Sequence, residues 1–306
     1  MNSTTIFQNQ IVDSSNGPYK SVLVAMSLIF GTLGTALSSY MIFLISKKPK
    51  PLHNDTILSL ITIIVGLLGS IFHIARGIMM QWPYNIFVYS VNACSVEYAT
   101  ASLFNSICVY PITLLSLERM LLIIFKIKLS KIIWIVGVVV LMSIHAALML
   151  IVSVQKTFLF SDIAMGCISS PYSNMKFVSR FLAITYIISF LLVTINYSSI
   201  IVFQLKRTYQ IKLQLQVNMK LVRRQNLKIL FRAMLIVLCF TIAYLGKVWC
   251  WTYQWVTGDD RPWTLNYISN LLFLTHNVSN CLIVLYLDSK SCQLAYNHFR
   301  KLINRY

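Results

Sequence analysis

A chain of 306 residues that is 57% hydrophobic and only 11% charged, with mean hydropathy +0.71, is not a soluble globular domain; such domains carry about 25% charged residues. Its formal net charge of +18 points to membrane topology and anionic lipid headgroups as partners rather than to nucleic acid. An integral membrane protein is the class that remains.

The first 18 residues, MNSTTIFQNQIVDSSNGP, are polar. They lack a basic segment followed by an apolar core, so they read as an extracellular tail and not as a cleavable signal peptide. Asn2-Ser3-Thr4 is a glycosylation sequon on that tail. Asn54, Asn196 and Asn277 also open sequons, but on the inner side or within spans. Seven stretches of few or no charges follow: 19–46, 56–80, 90–124, 132–154, 177–205, 229–254 and 264–287. Each reaches the roughly 20 residues that a helix needs to cross the hydrocarbon. Between Arg232 and Gly258 the sixth is interrupted by Lys247 alone. Residues 288–306 form a basic tail. The predicted fold is therefore an all-α integral membrane protein, a seven-helix bundle forming one domain over 1–306, with no repeat.

Of the 26 basic residues, 19 lie in 47–55, 118–131, 206–232 and 288–306. The excess of Lys and Arg on the cytoplasmic side places the N-terminus outside and the C-terminus inside. In 204–228, Leu205, Tyr209, Leu213, Val217 and Leu221 recur every four positions. The fifth helix is expected to continue past the membrane with one apolar stripe; a basic helix lying on the headgroups is the alternative.

With this topology Cys94 and Cys167 are the only cysteines outside. An oxidising exterior favours a bridge between them, with two free thiols as the alternative. The third span ends with Glu118-Arg119, 25 residues after Cys94 in the case of Arg119, which is roughly 38 Å of helix. The two charges therefore sit at the inner boundary, where a cytoplasmic partner can reach them.

A cysteine atop the third of seven helices, an acid-Arg pair at its foot, a second cysteine after the fourth helix and Trp134 within it resemble a rhodopsin-like G-protein-coupled receptor. LHNDTILSLI, FHIAR, LSLERM and YQIKLQLQVNMKLVRRQN are similar to segments of nematode serpentine chemoreceptors of classes a and ab. Departures are plain. The acid-Arg pair is followed by Met120; the sixth helix has Phe240, Tyr244 and Gly246 where the family has Phe, Trp and Pro; the seventh has Asn280-Cys281, with Val284 in place of a tyrosine. The glycine permits a bend at that point. No Asp lies mid-way along the second helix, so the family's sodium site is missing.

The resemblance implies a heterotrimeric G protein as cytoplasmic partner, a small-molecule ligand in the outer half of the bundle, and a chemosensory role at the plasma membrane, with the sensory cilium as one address. Glu118, Arg119, Tyr244 and Asn280 are the switch candidates, Glu118 neutralising Arg119 at rest. Helical spacing nominates Glu97, Tyr98, Ala101, Ser102 and Asn105 on the third helix as ligand residues. Lys247 and Trp251 on the sixth, and Asn270 and Phe273 on the seventh, complete the set. Ordinary helix packing is the competing account of each. Lys247 either snorkels outward, pairs with Glu97 or meets an anionic ligand.

Ala101, where amine receptors carry Asp, argues against amines; the absence of Lys from 262–287 argues against a retinal Schiff base. The five histidines, His53, His73, His145, His276 and His298, show no metal-ligand spacing, and no catalytic motif is evident. Neither a cofactor nor enzymatic activity is expected. A transporter or channel is the rival function, disfavoured by an odd number of spans and the lack of an internal repeat.

Overall fold

A computed structural model describes residues 3–48, 53–155, 158–169, 176–215, 219–287, 293, 294 and 300. Helix α1 covers Ser3–Ser15, α2 Gly17–Ser46, α3 Asn54–Gln81, α4 Ile86–Tyr89 and α5 Val91–Met120. Helix α6 covers Lys131–Gln155, α7 Lys176–Leu215, α8 Met219–Thr257, α9 Trp263–Phe273 and α10 His276–Leu287. Two short antiparallel strands, β1 Phe158–Phe160 and β2 Cys167–Ser169, form a hairpin between α6 and α7.

Six helices are long and apolar enough to cross a membrane, and α9 with α10 makes a seventh if the bent pair is one span. The architecture is that of an all-α, multi-pass membrane protein. The last expected span is not one straight helix: α9 and α10 meet at 42° around Leu274 and Thr275. The fifth expected helix does run on, to Leu215.

The lipid-facing logic is clearest on α6. Ile132, Ile133, Val136, Val139, Val140, Leu150 and Val154 are exposed, while Trp134, Val138, His145, Met149 and Val152 are buried. One apolar face toward lipid and one toward the bundle is what a peripheral span requires. Helix α5 is the central column, packing against α3, α6 and α7. Pro111 lies within it, and it ends in a π-helical turn, Leu121–Phe125, closed by Lys126 in the left-handed region. Proline removes one backbone donor and the widened turn alters the register, so the foot of α5 departs from a regular helix.

Gly246, which permits a bend, lies within one unbroken helix from Met219 to Thr257. The glycine instead admits a close approach. A Cβ there would stand 2.9 Å from Ser269 Cα on α9. Small residues are what let membrane helices draw together in this way.

The N-terminal tail is also more ordered than its polar composition implies. Helix α1 lies against the end of the bundle that carries the hairpin. Asn9 donates to the Val88 carbonyl, Asn85 donates to Asp13 at 2.7 Å, and Asn16 bridges the Asp162 carbonyl and the Trp263 indole. Lys20 pairs with Asp13 at 2.9 Å. Asn2 lies outside the described residues. The other sequon asparagines, Asn54, Asn196 and Asn277, are all buried, which closes them to glycosylation in the folded chain.

Candidate functional site

The hairpin end is organised around one buried ion pair. Arg76 lies shortly before the end of α3, and Glu97 a similar distance after the start of α5. A short connection joins these antiparallel helices, so the two side chains come level. Arg76 Nε and Glu97 Oε1 are 2.7 Å apart, with side-chain exposures of 10% and 1%. Two charges taken out of water need further hydrogen bonds to be tolerated, and the hairpin supplies them. Arg76 donates to the Met165 carbonyl, and the Cys167 N–H donates to Glu97 Oε2 at 2.9 Å.

Gly166 makes this contact possible. Its φ of +92° suits glycine, and a Cβ there would stand 2.7 Å from the Glu97 carboxylate. Cys167 is disulfide-bonded to Cys94 at the head of α5, with Cα atoms 5.4 Å apart. Glu97, nominated as a ligand residue, thus has both oxygens committed to Arg76 and the hairpin. It does not pair with Lys247. Nothing in the sequence pattern singles out Arg76 as its partner except that both lie near helix ends joined by a short loop.

Lys247 on α8 lies beside Asn270 and Phe273 on α9. Lys247 Nζ donates to Asn270 Oδ1 at 2.7 Å and stands 5.1 Å from the Phe273 ring centroid. It does not snorkel outward; it turns into the bundle. Asn270 Nδ2 donates to both the carbonyl and the side-chain oxygen of Asn266, at 2.8 and 2.9 Å. Those bonds fix which way the amide points and leave its oxygen for the ammonium.

Phe273 stacks on His276, with ring centroids 4.4 Å apart, and Tyr244 meets it edge-on at 5.7 Å. His276 in turn faces His73 of α3 edge-to-face, at 5.5 Å. This histidine pair escapes a search for close spacing in sequence because the two residues come from different helices. His276 Nδ1 is 2.8 Å from the Phe273 carbonyl oxygen, which can only accept. In the neutral ring Nδ1 therefore holds the proton and Nε2 presents a lone pair. His276 Nε2, His73 Nδ1 and Asn277 Nδ2 are buried with no hydrogen-bond partner. Below them Asn280 donates to the Tyr244 hydroxyl at 3.4 Å, joining two of the switch candidates.

The other nominated residues are placed differently. Tyr98 and Ser102 are buried on α5, and Ala101 is half-buried. The side chain of Asn105 lies outside what is described. Trp251 is covered by the Arg261 guanidinium, 4.3 Å above its ring, and Arg261 is held by two bonds to Gln254. A separate cavity of about 300 Å³ opens between α1 and the α3–α4 turn, lined by Gln10, Asp13, Lys20, Tyr84, Asn85 and Tyr89. It shares no residue with the nominated set.

At the opposite end Arg119 pairs with Asp55, on the first turn of α3, at 3.4 Å. The expected Glu118–Arg119 pair is not formed. Adjacent residues on a helix point about 100° apart, so neighbours in sequence do not face each other. Glu118 is buried, and its Oε2 has no hydrogen-bond partner. Asn54 beside Asp55 donates to the Leu129 carbonyl at 3.0 Å, tying the start of α3 to the segment after α5.

Among the described residues no three His, Cys, Asp or Glu side chains converge as metal ligands. No protein-family model matches the chain, and no curated protein matches it.

Proposed function

We propose that the chain is a seven-span receptor, hairpin end outside, that binds a small molecule within the outer half of the bundle and activates a heterotrimeric G protein inside the cell. The observation that carries this reading is the inward-turned Lys247 with Asn270 and Phe273, linked through Asn266 to Asp162 of a hairpin that is fastened to α5 by a disulfide and by Glu97. An ionisable group within a span and facing the bundle is a functional candidate by default. The side chains below it, His276, Tyr244 and Asn280, form a continuous buried path toward the inner half. At the inner end Arg119 is held by an ion pair across two helices, which activation would open. The Lys and Arg bias supports this orientation, and the chemosensory role and plasma-membrane address rest on the resemblance. The test is nucleotide exchange on purified G proteins by the chain in lipid nanodiscs.

One observation favours a transporter. Helix breaks beside buried polar groups are used by transporters to hold substrate, and α9 and α10 break next to His276. Uptake of a small molecule into vesicles, without nucleotide exchange, would select that reading.

A further inference from the structure

We infer that the Lys247 cluster recognises a small organic carboxylate bearing a hydrogen-bond donor. The inference rests on the receptor reading for the ligand's biological meaning, but not for its chemistry. Two other charges within spans, Arg76 and Arg119, each have a carboxylate partner, Glu97 and Asp55. Lys247 has none among the described residues. Its partners are one neutral amide oxygen and one aromatic face. An ammonium carries three donors, and a single amide acceptor leaves it short of acceptors and of counter-charge. A bound carboxylate supplies both.

The second half of the inference comes from His276. Its Nε2 is fully buried, presents a lone pair and has no donor aimed at it. It flanks the same Phe273 ring as Lys247, at 4.4 Å between centroids against 5.1 Å for the ammonium. A ligand lodged beside Phe273 between the two side chains can therefore place an anion on Lys247 and a hydroxyl or N–H on His276. A neutral ligand would leave the cation uncompensated. A cationic one would meet Lys247 directly.

The experiment is titration of the purified full chain in nanodiscs with glycolate, lactate and β-hydroxybutyrate. Butyrate, which lacks the donor, and the methyl ester of β-hydroxybutyrate, which lacks the charge, serve as comparisons. β-Hydroxybutyrate should bind about tenfold or more tightly than its methyl ester, the scale expected for a buried charge partner, and more tightly than butyrate; equal binding of butyrate would overturn the donor half of the inference. Lys247→Met should erase that preference, and Lys247→Arg, which retains the charge, should keep it. The ester comparison needs no variant, so a folding failure of Lys247→Met does not decide the outcome. The inference is overturned if no hydroxy acid binds, if acid and ester bind alike, or if well-folded Lys247→Met retains the preference. Binding without stimulated nucleotide exchange would keep the carboxylate site and sink the receptor reading. Exchange driven by a neutral odorant, undiminished in Lys247→Met, would do the reverse.

Discussion

Arg119 at the foot of α5 is ion-paired to Asp55 at the start of α3, 3.4 Å away, and not to its chain neighbour Glu118. The pair therefore ties two helices together, which a pair within one helix could not do. Side-chain exposures of 18% and 38% make it a boundary interaction, worth about 0.5–1 kcal/mol after solvent screening. A latch of that strength can be opened by a modest rearrangement.

Glu118→Gln is accordingly expected to change ligand-independent activity less than loss of Asp55, because the ion pair of Arg119 is to Asp55. Asp55→Asn removes the ion pair between the two helices, raising basal activity by roughly two- to fivefold, as that energy allows. Basal nucleotide exchange at matched protein levels separates the two. A larger rise in Glu118→Gln than in Asp55→Asn would restore the neighbour pairing.

The Arg76–Glu97 pair should be intolerant of losing one member. Arg76→Met or Glu97→Gln leaves a buried charge alone, which costs about 3–5 kcal/mol. The expected result is a marked fall in surface expression and in the thermal stability of the purified chain. Replacing both with apolar residues should recover part of the loss. Parent-like stability in both single variants would show that the hairpin is held without this pair.

The disulfide predicts a pattern of non-additivity. Cys94→Ser and Cys167→Ser should each reduce surface expression, and the double variant should be no worse than either single. Strictly additive losses would argue against a shared bond.

Gly246 gives a packing test. Since a Cβ would stand 2.9 Å from Ser269 Cα, which is backbone and cannot step aside, Gly246→Ala should destabilise by about 1–3 kcal/mol. Gly246→Val should be worse. Melting of the purified variants in detergent checks both. Unchanged melting of Gly246→Ala would mean that α8 and α9 are not in close contact there.

The spans were legible because lipid demands long uncharged runs: the interval from Asp55 to Arg76 alone announces α3. Cys94 and Cys167 were legible for a different reason, as the two cysteines left once a topology was assigned. Lys247, Asn270 and Phe273 stood out because helical spacing aligns side chains on each helix. The partners across helices were not legible. Arg76 with Glu97, Arg119 with Asp55 and His73 with His276 depend on the relative height and rotation of neighbouring helices, which no local pattern encodes. The order of α1 was hidden as well, since its contacts run to loop carbonyls and to single side chains such as Trp263. The break between α9 and α10 has no proline or glycine to announce it.

The most direct test of the receptor reading requires no ligand. The parent chain, Asp55→Asn and Arg119→Ala are reconstituted in nanodiscs, and basal nucleotide exchange is measured on a panel of purified G proteins covering the major classes. The expected order is Asp55→Asn above the parent and the parent above Arg119→Ala, with the last indistinguishable from empty nanodiscs. If no G protein in the panel shows exchange above empty nanodiscs with the parent or with Asp55→Asn, or if Arg119→Ala exchanges like the parent, the receptor reading is contradicted.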